Sequence, residues 1–175
     1  MIRLLIHHYV IVYVYIILIH AYSIVIVGMM VALMGATGAG KTTLLDVLAG
    51  KKTGGKIMGT LLINGRVRGN DFSHIAGYVE QFDSHNPFST IREAIEFSGR
   101  LRLPPSTSHT DVVKKVESVL EILGMRHLQH EMIGGPGLGG VSQEIRKKVT
   151  IAVELIMEPQ LLFLDEPTTG LGMYQ

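Results

Sequence analysis

The sequence predicts an α/β protein, a mostly parallel sheet flanked by helices. Three observations carry that expectation. Short apolar runs alternate along the chain with amphipathic stretches of helical length, the pattern of strands laid side by side and crossed over by helices. One apolar run leads directly into a glycine-rich turn and a helix. Another ends on two adjacent carboxylates, Asp165 and Glu166.

The first element is the least determined. Leu4 to Val27 is apolar, interrupted by His7, His8, His20 and Ser23. About 20 apolar residues suffice to cross a bilayer as a helix, so a membrane span or anchor is one reading. Tyr9, Tyr13, Tyr15 and Tyr22 would suit an interface. The Val and Ile content equally describes a buried strand pair, and Arg3 ahead of an apolar stretch has the form of a signal peptide. A segment not native to the domain is the remaining reading. Charge divides the chain nearby: with histidine neutral, Arg3 is the only charged residue from Met1 to Met34. The boundary is expected near Gly28, separating an apolar segment 1–27 from a domain 28–175.

Met30 to Met34 (MVALM) reads as a buried strand. Lys41 to Ala49 reads as a helix with Leu44, Leu45 and Leu48 on one face, stopped by Gly50. Thr60 to Ile63 is a strand closed by an Asn64-Gly65 turn, and Gly77 to Glu80 is strand-like. Thr90 with Glu93 forms a capping box for a helix reaching about Leu101, before Pro104-Pro105. Val112, Val116, Val119, Leu120 and Leu123 form one stripe of a helix over Asp111 to Leu123, closed by Gly124. The glycine-rich loop Gly134 to Gly140 precedes Ser142, which caps a helix to Met157. After Pro159, Leu161 to Leu164 is a fully apolar strand.

Bulk properties narrow the function. At 175 residues and 47% hydrophobic content, the chain is long enough for one domain with a substantial core. A net charge of +1 offers no electrostatic case for nucleic acid. There is no cysteine, which excludes disulfides and thiolate metal sites. The eight histidines form no zinc-ligand spacing.

Chemistry concentrates in two places. Gly35-Ala-Thr-Gly-Ala-Gly-Lys41-Thr42 matches G-x-x-x-x-G-K-[ST] in full. Glycines 35, 38 and 40 let the backbone turn its N–H groups toward a phosphate, and the helix starting near Lys41 adds its positive end. Lys41 would neutralise β- and γ-phosphates, and Thr42 would offer a hydroxyl to Mg²⁺. The candidate nucleotide contacts are Gly35, Ala36, Thr37, Gly38, Ala39, Gly40, Lys41, Thr42 and Thr43. The second place is Leu161-Leu-Phe-Leu-Asp165-Glu166. Asp165 would hold Mg²⁺, and Glu166 would orient or deprotonate the attacking water.

With these residues in hand, the chain resembles the nucleotide-binding domain of ABC transporters, most closely the G subfamily with its pleiotropic-drug-resistance branch. The resemblance runs from about Gly28 to the end. It is carried by Ala32 to Gly50, Gly77-Tyr-Val-Glu-Gln81, Phe97 to Pro104, Arg146 to Leu155 and Leu162 to Gly170. It implies a P-loop NTPase fold with an inserted helical subdomain, and ATP with Mg²⁺ as ligands. Gln81 then corresponds to the loop glutamine that senses Mg²⁺ and the γ-phosphate, which adds it to the metal and catalytic sets. Ser142 corresponds to the signature serine, which contacts the nucleotide held by a second nucleotide-binding domain. A G-type transmembrane domain, and a place on the cytosolic face of a membrane, complete the implied setting. ATP chemistry facing the cytosol conflicts with the signal-peptide form of the N-terminus.

The chain departs from the family pattern in places. Gln143 and Glu144 replace the signature's paired glycines, Ile145 stands where Gln or Glu is usual, and Gly172 stands where an aspartate is usual. The chain ends before the family's switch histidine, as expected of a C-terminally truncated domain. Two readings follow: an ATPase domain powering export, or a truncated module that binds ATP without turnover. A soluble ABC protein acting on DNA or ribosomes is disfavoured by the near-zero charge and the apolar N-terminus. A small-molecule kinase is disfavoured because no arginine-rich lid segment follows the phosphate loop.

Overall fold

A computed structural model of the chain describes residues 10–16, 19–25, 30–69, 71–82 and 84–167. Expectations that fall on Arg3 to Tyr9, Gly28, Asp83, Thr168 to Gly170 and Gly172 lie outside the described residues. The chain divides into two compact units, Met1–Ala76 and Gly77–Gln175.

The first unit is a four-stranded antiparallel sheet accompanied by two helices. Strands β1 (Val10–Ile16) and β2 (Ile19–Val25) pair from Val10 opposite Val25 to Ile16 opposite Ile19. Of the readings of the apolar N-terminus, the described residues adopt the strand pair, and none of their helices is long and apolar enough to cross a membrane. Helix α1 (Lys41–Ala49) follows, closed by Gly50 at φ 75. Next comes β3 (Met58–Ile63), which pairs with β1 from Met58 opposite Tyr15 to Ile63 opposite Val10. The ladder therefore joins residues on either side of the composition break near Gly28. Asn64 (φ 52) and Gly65 (φ 77) turn the chain into β4 (Arg66–Val67), as expected of an Asn-Gly hairpin. The strand order is β2-β1-β3-β4.

Met30 to Met34 does not form the expected strand. The segment has no regular structure, and Met30 is 95% and Met34 87% exposed. Apolar composition alone does not make a strand. Its N–H and C=O groups need a ladder partner, and no strand pairing among the described residues includes it.

Arg68 ties this unit together. Its Nη1 donates to the Val47 and Leu48 carbonyls at 3.1 and 3.5 Å, placing a cation at the negative end of α1. The same guanidinium lies 5.5 Å from the centre of the Phe72 ring, on the short helix α2 (Phe72–Ile75).

The second unit is built on three helices. After β5 (Ala76–Val79) come α3 (Ile91–Arg102) and α4 (His109–Ile122), then a 3₁₀ turn over Arg126–Leu128. A two-residue hairpin, β6 (Gly134–Gly135) and β7 (Gly139–Gly140), leads to α5 (Gln143–Leu155) and β8 (Leu161–Leu164). Ile91 and Ile95 of α3, Val112, Val116, Val119 and Leu120 of α4, and Val149 and Ala152 of α5 form one buried cluster with Met125, Ile133 and Ile156. Each fully buried aliphatic side chain contributes roughly 1.5–3 kcal/mol, so this core fixes how the three helices pack.

The ends are set locally. The Thr90 hydroxyl accepts from Glu93 N while the Glu93 carboxylate accepts from Thr90 N, the reciprocal box expected there. Ser108 caps α4, and Gly124 at φ 67 follows its last turn. The final helix stops at Leu155 rather than Met157, since Glu158 at φ 50 turns the chain before Pro159.

Strands β5 and β8 are hydrogen-bonded neighbours, with α3, α4 and α5 between them in sequence. Gly77 sits close to β8: a Cβ there would lie 2.9 Å from Leu162 Cδ1, so that side chain would have to shift. The apolar strand expected at Leu161 to Leu164 forms; Phe163 is buried, whereas Leu164 is 38% exposed. A strand with one described neighbour is covered less completely than one inside a sheet.

Candidate functional site

The phosphate loop belongs to the first unit. Gly38 and Gly40 hold φ values of 82 and 89, a left-handed conformation that glycine adopts without a Cβ penalty. Gly40 is the N-cap of α1, and no side chain caps that helix. The first turn of a helix has no intrahelical acceptors for its N–H groups, so this end is constituted to receive an anion. Ala39 N donates to Ala36 O at 3.1 Å, closing the loop's own turn. The Lys41 ammonium donates to the Gly35 and Ala36 carbonyls at 2.9 and 3.0 Å. Gly35, Ala36, Gly38, Gly40 and Lys41 thus form one loop that carries both backbone donors and a cation. A phosphate fits that set of donors.

The acid pair belongs to the second unit. The β5–β8 ladder extends to Asp165, whose N–H donates to Val79 O at 3.0 Å. Asp165 is 7% exposed. Its neighbour Glu166 has φ 45, a left-handed backbone uncommon for a residue with a side chain. Held there, its carboxylate Oε2 accepts from Gln81 Nε2 at 2.9 Å. Glu166, expected to act on the attacking water, and Gln81, which the resemblance adds to the metal and catalytic sets, are therefore joined, although 85 positions separate them in sequence.

Ser142 stands at the start of α5. Its hydroxyl accepts from Ile145 N at 3.3 Å, the N-cap expected of it. The hairpin before it admits no Cβ at two positions: one on Gly134 would run into the Gly139 carbonyl, and one on Gly140 into the Ile133 carbonyl. Backbone bonds from Ile133 N to Ser89 O and from Gly134 N to Pro87 O tie this segment to the approach to α3. Beside Ser142 is an open depression of about 530 Å³, lined by His130, Glu131, Met132 and Ile145 among others. Ile145 packs against the three-helix core, which gives this apolar residue a structural role.

Two features were not foreseen from sequence. Lys147 is buried, and its ammonium donates to Glu80 O and Gln81 O at 3.0 and 2.8 Å. Glu154 accepts from Arg102 at 2.7 and 2.8 Å and from Tyr78 N at 3.2 Å, joining α3, α5 and β5. In the sequence Lys147 lies within Arg146-Lys147-Lys148, which reads as a solvated charged run. The signal available was weak: Lys147 falls off the Val149–Ala152–Ile156 stripe.

A glycine-turned loop feeding a helix, together with a strand-borne acid pair in an α/β chain, defines a P-loop nucleoside-triphosphate-binding domain. The chain belongs to the ABC transporter family, whose model matches residues 25–169, and it is an ATP-binding domain of that family. It is 54% identical to ABC transporter G family member 10 of Dictyostelium discoideum over 145 residues, 82% of this chain and 10% of that protein. G family member 14 of the same organism is 55% identical, and G family member 43 of Arabidopsis thaliana 48%, each over the same shares. The chain thus spans about a tenth of the length of these curated relatives.

Proposed function

We propose that this chain is the energy-coupling ATPase domain of a G-type exporter. The single observation that carries the reading is the hydrogen bond between Gln81 and Glu166: a glutamine on one loop and a strained acid at a strand end are already paired. The relatives' printed names, all G family members of ABC transporters, support the G-type transporter class.

In this reading the nucleotide-binding domain comprises 28–175, with the loop from Gly35 to Thr43 taking the triphosphate. Lys41 neutralises the β- and γ-phosphates, and backbone N–H groups at the start of α1 bind their oxygens. Thr42, Asp165 and Gln81 are the oxygen donors suited to Mg²⁺, a hard cation that prefers such ligands. When bound, that ion would offset the charge of the phosphates. Glu166 orients the attacking water and takes its proton, and Gln81 holds Glu166 in place for it. Ser142 contacts the γ-phosphate bound by a second nucleotide-binding domain, so two domains sandwich two ATP molecules. A transmembrane domain converts their closure into movement of cargo, which places the working domain at the cytosolic face of a membrane.

The test is phosphate release from Mg-ATP by the purified chain. Turnover that disappears in Glu166→Gln, with binding retained, is expected. Binding without turnover in the wild-type chain would instead establish the non-hydrolysing module.

A further inference from the structure

We propose that Lys147, with Thr150 one turn on, is a positioning residue that anchors the Gln81 segment to the helix beginning at Ser142. The proposal rests on the ATPase reading for its effect on turnover, and on geometry for the anchor itself.

β5 ends at Val79, so the Glu80 and Gln81 carbonyls lie beyond the end of that strand. Lys147, 3% exposed, supplies a donor to both. A second contact joins His85 Nε2 to Thr150 Oγ1 at 2.8 Å, and Thr150 in turn donates to Arg146 O. Residues three apart on a helix share a face, so α5 grips the segment at two points, one on each side of Phe82. The basic run divides its work: Arg146 donates to Val141 O at 2.7 Å, Lys148 pairs with Glu144 at 3.0 Å, and Lys147 turns inward.

With its backbone held, Gln81 reaches Glu166. One helix therefore bears Ser142 at its start and, at its fifth residue, the side chain that sets the glutamine backbone. Movement of α5 at the signature end is transmitted to the Gln81–Glu166 pair through Lys147. Removing the ammonium leaves two carbonyls without that donor and releases the backbone that carries the Gln81 amide.

The experiment uses Lys147→Met, which keeps the aliphatic stem, and Lys147→Arg, which keeps a donor. Lys147→Met is expected to lower kcat about tenfold while the affinity for a fluorescent ATP analogue changes by less than about twofold. Lys147→Arg recovers most of the rate. In a Gln81→Ala background Lys147→Met costs little more, because the two act as one unit. Hydrogen exchange at Glu80 and Gln81 speeds up in Lys147→Met while α4 keeps its protection.

An unchanged kcat, or a fall in rate, affinity and melting temperature together, overturns the proposal. Should the wild-type chain release no phosphate, the ATPase reading fails and exchange decides alone. Faster exchange confined to Glu80 and Gln81 then upholds the anchor, and unchanged exchange overturns it.

Discussion

At the scale of single residues, the phosphate loop depends on backbone conformation as much as on charge. A Cβ on Gly38 would meet nothing within 4 Å, so the obstacle to a side chain there is the positive φ and not space. Gly38→Ala should cost roughly 1–2 kcal/mol of torsional strain, or relieve it by reshaping the loop. The expected outcome is weaker nucleotide binding with a small change in melting temperature, checked by titration and thermal denaturation of the same samples. This loop was legible in the sequence because its donors are contiguous: eight successive residues carry the whole pattern. Lys147 was not legible, since its partners are carbonyls 66 and 67 positions away and carbonyls leave no mark in a sequence. Gln81 drew its weight only from the family resemblance, and its bond to Glu166 supplies a local reason for it.

Among the elements, α3, α4 and α5 were the most legible, because capping residues and apolar spacing are local signals. Leu120 is fully buried between these helices, and Leu120→Ala should destabilise the unit by roughly 2–5 kcal/mol, measured by urea denaturation. Electrostatics add a pH dependence. The hydrogen bond from Arg92 holds the Glu117 carboxyl below the ordinary glutamate range, helped by the charges of Arg92 and Arg126 and opposed by desolvation. Because the folded value is depressed, the stabilisation is present above the unfolded value and is lost as pH falls through the folded one. Glu117→Gln should therefore lower stability at neutral pH and flatten its loss from about pH 5 downward. Melting curves between neutral and acidic pH check the sign.

For the whole molecule, the α/β class was legible and the antiparallel sheet of the first unit was not. Its order depends on β1 pairing with β3 across more than 40 positions, and no local pattern encodes such a pairing. The same non-local choice explains why Met30 to Met34, apolar enough for a strand, is left outside the ladder. A proline tests the arrangement. β1 is an inner strand and β4 an edge, and proline is tolerated at edges but not inside a sheet. Val12→Pro should lower the melting temperature and the infrared sheet signal, whereas Val67→Pro should leave both nearly unchanged. The central claim is that the loop from Gly35 to Thr43 takes the triphosphate, and equilibrium titration with a fluorescent ATP analogue tests it most directly. Saturable binding by the wild-type chain that falls by more than about tenfold in Lys41→Ala is the predicted result. Equal affinity in the two proteins would contradict it.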